Sequence, residues 1–151
     1  ILWLTLFRDK IDDIMEQVKC PVAVFVNRSY REGALVSFVL GGMIDVFLLS
    51  YLNIMLQNGH SVRLFLFETD DEEFHQCIDD LLAHYADQIV VVWFAGVEEL
   101  VTKEKDGLLV MSHLSYTKLF EDELVMRELS SLLVIRRNKN KGEKNERLEI
   151  G

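Results

Sequence analysis

"FVLGGMIDVFLLSYLNIML", residues 38–56, decides how the rest of the chain is read. A glycine pair interrupts an apolar run that then continues almost unbroken. Such a run suits a membrane span, a phosphate-gripping loop that opens a helix, or a helix buried in a protein core. A span needs about 20 apolar residues, and Asp45, Ser50 and Asn53 break this run within a shorter length. Asp45 lies near the start of the expected helix, where the positive end of the helix dipole favours a carboxylate. In hydrocarbon the same group is costly. The stretch therefore reads as a core helix of a soluble α/β domain.

Strand and helix periodicities alternate outward from it. "ALVSFVL" (34–40) precedes it as a buried strand, and Asn58-Gly59 closes the helix. "SVRLFLFE" (61–68), "QIVVVWF" (88–94), "GLLVMS" (107–112) and "SLLVIRR" (131–137) are further apolar runs. The clearest helix begins at Thr69, whose spacing from Glu72 is that of a capping box. Phe74, Cys77, Ile78, Leu81, Leu82 and Tyr85 then form one apolar stripe. "GVEELVTKE" (96–104) and "YTKLFEDELVMREL" (116–129) are a short and a weak helix. Strands that are apolar throughout, separated by helices, imply a mainly parallel sheet covered on both faces.

The amino end stands outside this series. "LFRDKIDDIMEQVK" (6–19) has an amphipathic helical pattern, and a strand starting at Pro21 follows it. This is a helix–strand pair with no beginning, and it looks like the end of a preceding repeat. The expected organisation is a terminal piece (1–30), an α/β domain (31–137) and a disordered polar tail (138–151). There is no initiating Met and no signal-peptide pattern, so a longer parent polypeptide is expected.

The chain has 151 residues and a net charge of −9. Residues 136–151 hold six Lys or Arg against three Glu, which leaves ten cations against twenty-two carboxylates in the acidic body. Such a body repels nucleic acid and anionic lipid, so neither a nucleic-acid partner nor membrane insertion is expected. Cys20 and Cys77 have no metal spacing and read as reduced structural thiols. His75 and His84 lie nine positions apart on one helix, so they face opposite sides and cannot share a metal. No Walker loop, G-x-S-x-G, H-E-x-x-H or Cys/His cluster is present. The acidic run 68–73 lacks the spacing of a calcium loop and reads as a helix start. No catalytic residue, metal ligand or cofactor is expected, and the chain reads as a non-enzyme.

The order of elements from Ala34 to Arg137 resembles the universal stress protein fold, an adenine nucleotide alpha hydrolase-like three-layer sandwich. "FRDKIDDIMEQVKCPVAVFVNR" (7–28) resembles the last helix and strand of such a repeat. With Gly41, Gly42 and Asp45 after the next strand, the pattern is similar to the tandem cytoplasmic region of cation/proton antiporters. The resemblance implies a five-stranded sheet of order 3-2-1-4-5 with an extra amino-terminal helix–strand edge. It also implies a ligand crevice between the first and fourth strands, as in open α/β sheets generally. Gly41, Gly42, Asp45, Ser112, His113 and Ser115 would meet there as ligand-binding residues. More ordinary readings stand beside this one: a tight turn at Gly41-Gly42, dipole compensation by Asp45 and a rim histidine at His113.

Nucleotide-binding members of the family carry an Asp after the first strand and a glycine-rich loop after the fourth. Here "SHLSYTKLFEDEL" (112–124) has no glycine, and Glu121, Asp122 and Glu123 would repel a triphosphate. The expected function is thus a non-enzymatic regulatory domain on the cytoplasmic face of a membrane cation/proton antiporter. It would act by packing against the transmembrane part of the same polypeptide. A small-ligand sensor of nucleotides or other anions is the alternative. Pro21–Val26 is expected to pair antiparallel with Leu132–Arg137, within or between chains. Val22, Val24, Val26, Leu133 and Ile135 would then form an interface, and a homodimer through edge strands follows.

Overall fold

Apolar runs rich in Val, Ile and Phe become strands where neighbouring runs can satisfy their backbone hydrogen bonds. A computed structural model describes residues 2–5, 11–101, 105–119 and 128–137. Its strands are β1 (Leu2–Thr5), β2 (Val22–Val26), β3 (Val36–Leu40), β4 (Val62–Phe67), β5 (Ile89–Phe94), β6 (Leu108–Ser112) and β7 (Ser131–Arg136). They form one seven-stranded sheet in the order β1-β2-β7-β6-β3-β4-β5. Every neighbouring pair is parallel except β2 and β7.

Both faces of the sheet are covered, giving a mixed α/β sandwich. One face packs α2 (Leu49–Gln57) and α3 (Glu72–Tyr85) through Leu52, Leu56, Phe74 and Ile78 against Phe38, Leu64 and Val110. The other packs α1 (Ile11–Gln17), a 3-10 turn (Val97–Leu100) and α4 (His113–Leu119) against Val24, Val39, Met111 and Val134. Each fully buried aliphatic or Phe side chain stabilises by about 1.5–3 kcal/mol. The helix of the opening stretch therefore lies on a parallel sheet. Among the described residues no helix is long and apolar enough to cross a membrane.

Local signals account for the helix ends. Asn58 caps α2, and Gly59 follows at φ 83°, the left-handed conformation that glycine adopts without strain. Asp71, not Thr69, is the N-cap of α3, since its carboxylate accepts from the N–H groups of Glu73 (3.0 Å) and Phe74 (3.3 Å). Thr69 instead accepts the Asp71 N–H at 3.2 Å, holding the approach to the cap. The acidic run is thus a helix start, as its composition suggests.

The expected five strands plus an amino-terminal edge strand are corrected to seven strands. Leu2–Thr5 adds a parallel strand outside β2, and α1 starts at Ile11 among the described residues. Four other expectations fall partly or wholly outside those residues: the tail 138–151, the continuation of α4 through 120–127, the segment 102–104, and residues 6–10.

The amino-terminal β1-α1-β2 unit mirrors β6-α4-β7. The antiparallel β2/β7 pair centres on Val24 opposite Val134, with parallel β1 outside β2 and parallel β6 outside β7. Helices α1 and α4 lie on the same face, so a pseudo-twofold axis runs through the sheet at that pair. In register, Thr5 aligns with Phe25 as Ser112 aligns with Ile135, so Thr5 and Ser112 occupy equivalent places. The strand pairing expected of Pro21–Val26 thus forms within one chain. It buries Val22, Val24, Val26 and Ile135 and half-buries Leu133. Within the chain, those residues are taken up by the internal β2/β7 pair.

One side chain fastens the unit. Arg136 is 7% exposed, and its guanidinium donates to the carbonyls of Met15, Val18 and Cys20 (2.6 Å for Cys20). These are carbonyls at and beyond the end of α1, where a helix leaves acceptors unsatisfied and its dipole favours a cation. Arg28 adds a second tie: its N–H donates to Ser131 Oγ at 2.7 Å.

Candidate functional site

The carboxyl ends of β3 and β6 are adjacent, and the chain leaves them in different directions toward α2 and α4. In open α/β sheets this is where ligands bind. After Leu40 the chain turns through Gly41 and Gly42. Gly42 has φ 152° and ψ −163°, a region essentially closed to residues with a Cβ. The turn leads straight into a 3-10 segment, Met43–Leu48, in which the Asp45 N–H donates to Gly42 O at 3.0 Å.

This tight path folds Asp45 back over the end of β3. Its side chain is 0% exposed, and Oδ2 accepts the Gly41 N–H at 2.6 Å. From the other strand, Ser112 at the end of β6 donates its hydroxyl to Asp45 Oδ1. Ser115, in the first turn of α4, donates to Oδ2. The Ser115 N–H in turn donates to Ser112 Oγ at 3.0 Å, fixing that oxygen as acceptor on one side and donor on the other. The result is a carboxyl group gripped by one backbone and two side-chain donors.

Close approach explains Gly41. A Cβ there would meet Ser115 Oγ at 2.7 Å and Asp45 Oδ2 at 3.3 Å. Only a residue without a side chain lets its N–H reach the carboxyl while the serine passes overhead. Of the six residues expected at the crevice, Gly41, Asp45, Ser112 and Ser115 form one hydrogen-bonded set. Gly42 shapes the turn. His113 is half-buried, with its ring stacked on Tyr116 at 6.4 Å between centroids and 23° between planes.

What the set can do chemically follows from where its protons point. Both hydroxyls are buried and donate inward to Asp45, so neither is presented to a substrate. The donors that could grip an anion are taken by a carboxyl of the same chain. Among the described residues there is no cluster of three or more His, Cys, Asp or Glu that could hold a metal. His75 stacks on Trp93 at 4.9 Å and lies 2.7 Å from Thr69 O, while His84 Nδ1 lies 3.0 Å from Asp80 O. Neither histidine reaches the crevice.

Elsewhere, Glu99 Oε2 accepts the N–H groups of Ala95 (2.7 Å) and Gly96 (2.8 Å). The Gly96 and Ala95 hydrogen bonds hold its carboxyl below the ordinary value of 4.5. This closes the turn after β5 and is structural.

Asp45 does lie in the first turn of the 3-10 segment, as dipole compensation expects, and it is also the buried acceptor of the crevice. The available signal was an acid inside a nearly unbroken apolar run, with two serines three positions apart after another strand. Arg136 went unnoticed as a functional side chain because a cation ending a strand ordinarily reads as solvated.

No protein-family model matches this chain, and no curated protein matches it.

Proposed function

We propose that the chain is a universal stress protein-like, non-enzymatic regulatory domain on the cytoplasmic face of a membrane cation/proton antiporter. It works by packing and conformational coupling within the larger polypeptide. The observation that carries this reading is the Asp45 carboxyl, which fills the crevice where a ligand would sit in a nucleotide-binding relative. A nucleotide there bridges two strands. Here Asp45 makes a bridge of that kind from within the chain, accepting from Gly41 after β3 and from Ser112 and Ser115 at and after the end of β6.

Two further features support the reading. The strands from Val36 to Arg136 follow the succession β5-β4-β3-β6-β7, which is the order the family resemblance implies. The β1-α1-β2 unit repeats the last third of the domain across a pseudo-twofold axis, as expected for the end of a preceding repeat. Arg136 ties the end of α1 to β7 through three hydrogen bonds, a physical link by which the proposed coupling would pass.

The test is transport by the full-length antiporter with residues 31–137 deleted. The expected result is a changed dependence of transport rate on proton or cation concentration. Unchanged transport refutes the regulatory role.

A small-ligand sensor is the second reading. It is favoured by one observation: His113 is half-buried beside the crevice, where it could contact a ligand that displaced Asp45. That reading requires a nucleotide or anion to stabilise the native protein, because a ligand that binds only the folded state raises the melting temperature.

A further inference from the structure

We infer that the chain self-associates through the outer edge of β5, with two copies joining their sheets in antiparallel pairing about a twofold axis at Val91. The sheet has edges at β1 and β5. At the β7 end of the five-strand block, β2 covers the edge. At the β5 end, no described residue pairs with the outer side.

The ladder phase shows what this edge offers. Val62 N–H donates to Gln88 O at 2.8 Å and Glu68 N–H donates to Phe94 O at 2.9 Å. In a parallel pair of this register, Val90, Val92 and Phe94 direct their backbone groups at β4. Ile89, Val91 and Trp93 then direct both N–H and C=O outward. The segment "IVVVWF" carries no charge, no proline and no glycine, and Val90 is 63% exposed. Strand edges on monomeric proteins are ordinarily protected by a Lys, a Pro, a bulge or a cover, and none of these is found along β5 among the described residues.

The occupant that fits is a second copy. An isologous contact satisfies both exposed edges at once, whereas a head-to-tail contact leaves one open. With Val91 opposite its own copy, Ile89 faces the partner's Trp93 and Val90 faces the partner's Val92. Aromatic and β-branched cross-strand pairs of this kind are favourable. Asp87 falls opposite the partner's Ala95, so no like charges oppose each other along the strand. The remaining opposition is the long-range repulsion of two acidic bodies, which salt screens.

Sedimentation equilibrium from low to high micromolar concentration tests this on the full 151-residue chain. The expected result is a reversible monomer–dimer equilibrium that tightens as salt is raised. Val90→Lys puts a charge at an exposed edge position and should weaken dimerisation by about tenfold or more. Val91→Pro removes an outward N–H while sparing every bond to β4, and it should be monomeric with a native circular dichroism spectrum. If Val91→Pro fails to fold, V90K decides alone. A monomer at all concentrations, open-ended assemblies larger than a dimer, or a V90K variant that dimerises as tightly as the parent would each overturn the inference.

Discussion

The Ser115 hydroxyl donates to Asp45 Oδ2 across 70 positions of sequence, joining the turn after β3 to the helix after β6. With the Ser112 bond it closes the crevice from both sides. Beyond the last paired residues of β3 and β6, Phe38 and Val110, these side-chain bonds continue the link that the backbone ladder makes below them.

Removing Asp45 leaves Gly41 N–H and two buried hydroxyls without their acceptor. Each buried polar group left unsatisfied costs about 1–3 kcal/mol. Asp45→Ala should therefore lower the unfolding free energy by about 3–5 kcal/mol, and Asp45→Asn by less, since one acceptor oxygen remains. Urea denaturation of both variants and of Ser115→Ala checks the order. A double-mutant cycle between Asp45 and Ser115 should give coupling of about 1 kcal/mol or more.

The two glycines fail for different reasons. Gly41→Ala drives a methyl into Ser115 Oγ, 2.7 Å away, so the hydroxyl must leave Asp45. Gly42→Ala meets no atom within 4 Å, yet its φ of 152° is strained for any L side chain. Both should destabilise by about 1–3 kcal/mol. Adding Ser115→Ala should recover part of the loss at Gly41 and none at Gly42, measured by thermal unfolding.

Much of the sheet was legible because its strands are apolar on both faces, a pattern that only a doubly covered sheet accommodates. The apolar stripe of α3 and the antiparallel seating of β2 on β7 were equally open to reading. The strand Leu2–Thr5 was not, since four residues reveal a strand only when a neighbour such as β2 supplies the register. The N-cap shifted from Thr69 to Asp71 because several adjacent acidic and hydroxyl residues can all cap, and only backbone geometry selects one. Gly41, Asp45, Ser112 and Ser115 meet at one end of the sheet, but the relationship among them was not legible. The family resemblance implies that Asp45, Ser112 and Ser115 reach one end of the sheet. It does not show that the carboxyl turns inward to take both hydroxyls as donors.

Arg136 offers a test of the junction. Arg136→Met keeps the apolar stem and removes the donors to Met15, Val18 and Cys20. Hydrogen bonds to a charged group contribute about 1.5–3 kcal/mol each at most. Amide exchange should therefore accelerate in residues 11–26 while β4 stays protected. Equal acceleration in both segments would show that the amino-terminal unit has no separate stability.

Glu99 sets a small acid-side dependence. Its folded carboxyl titrates below the ordinary 4.5 because the Gly96 and Ala95 N–H groups favour the charged form. The stabilisation is therefore present above the unfolded value and is lost as pH falls through the lower folded value. A carbon-13 titration of the native protein should place the Glu99 midpoint below that of an unfolded reference. Glu99→Gln should remove this part of the acid limb without altering stability's pH dependence above the unfolded value.

The central claim is that the chain's own carboxyl occupies the crevice at the ends of β3 and β6. The melting temperature of the native protein against rising ATP concentration addresses it most directly. A flat profile is the predicted result, because Asp45 already holds the donors a phosphate would need. A saturable rise in melting temperature that disappears in Ser112→Ala would contradict the account.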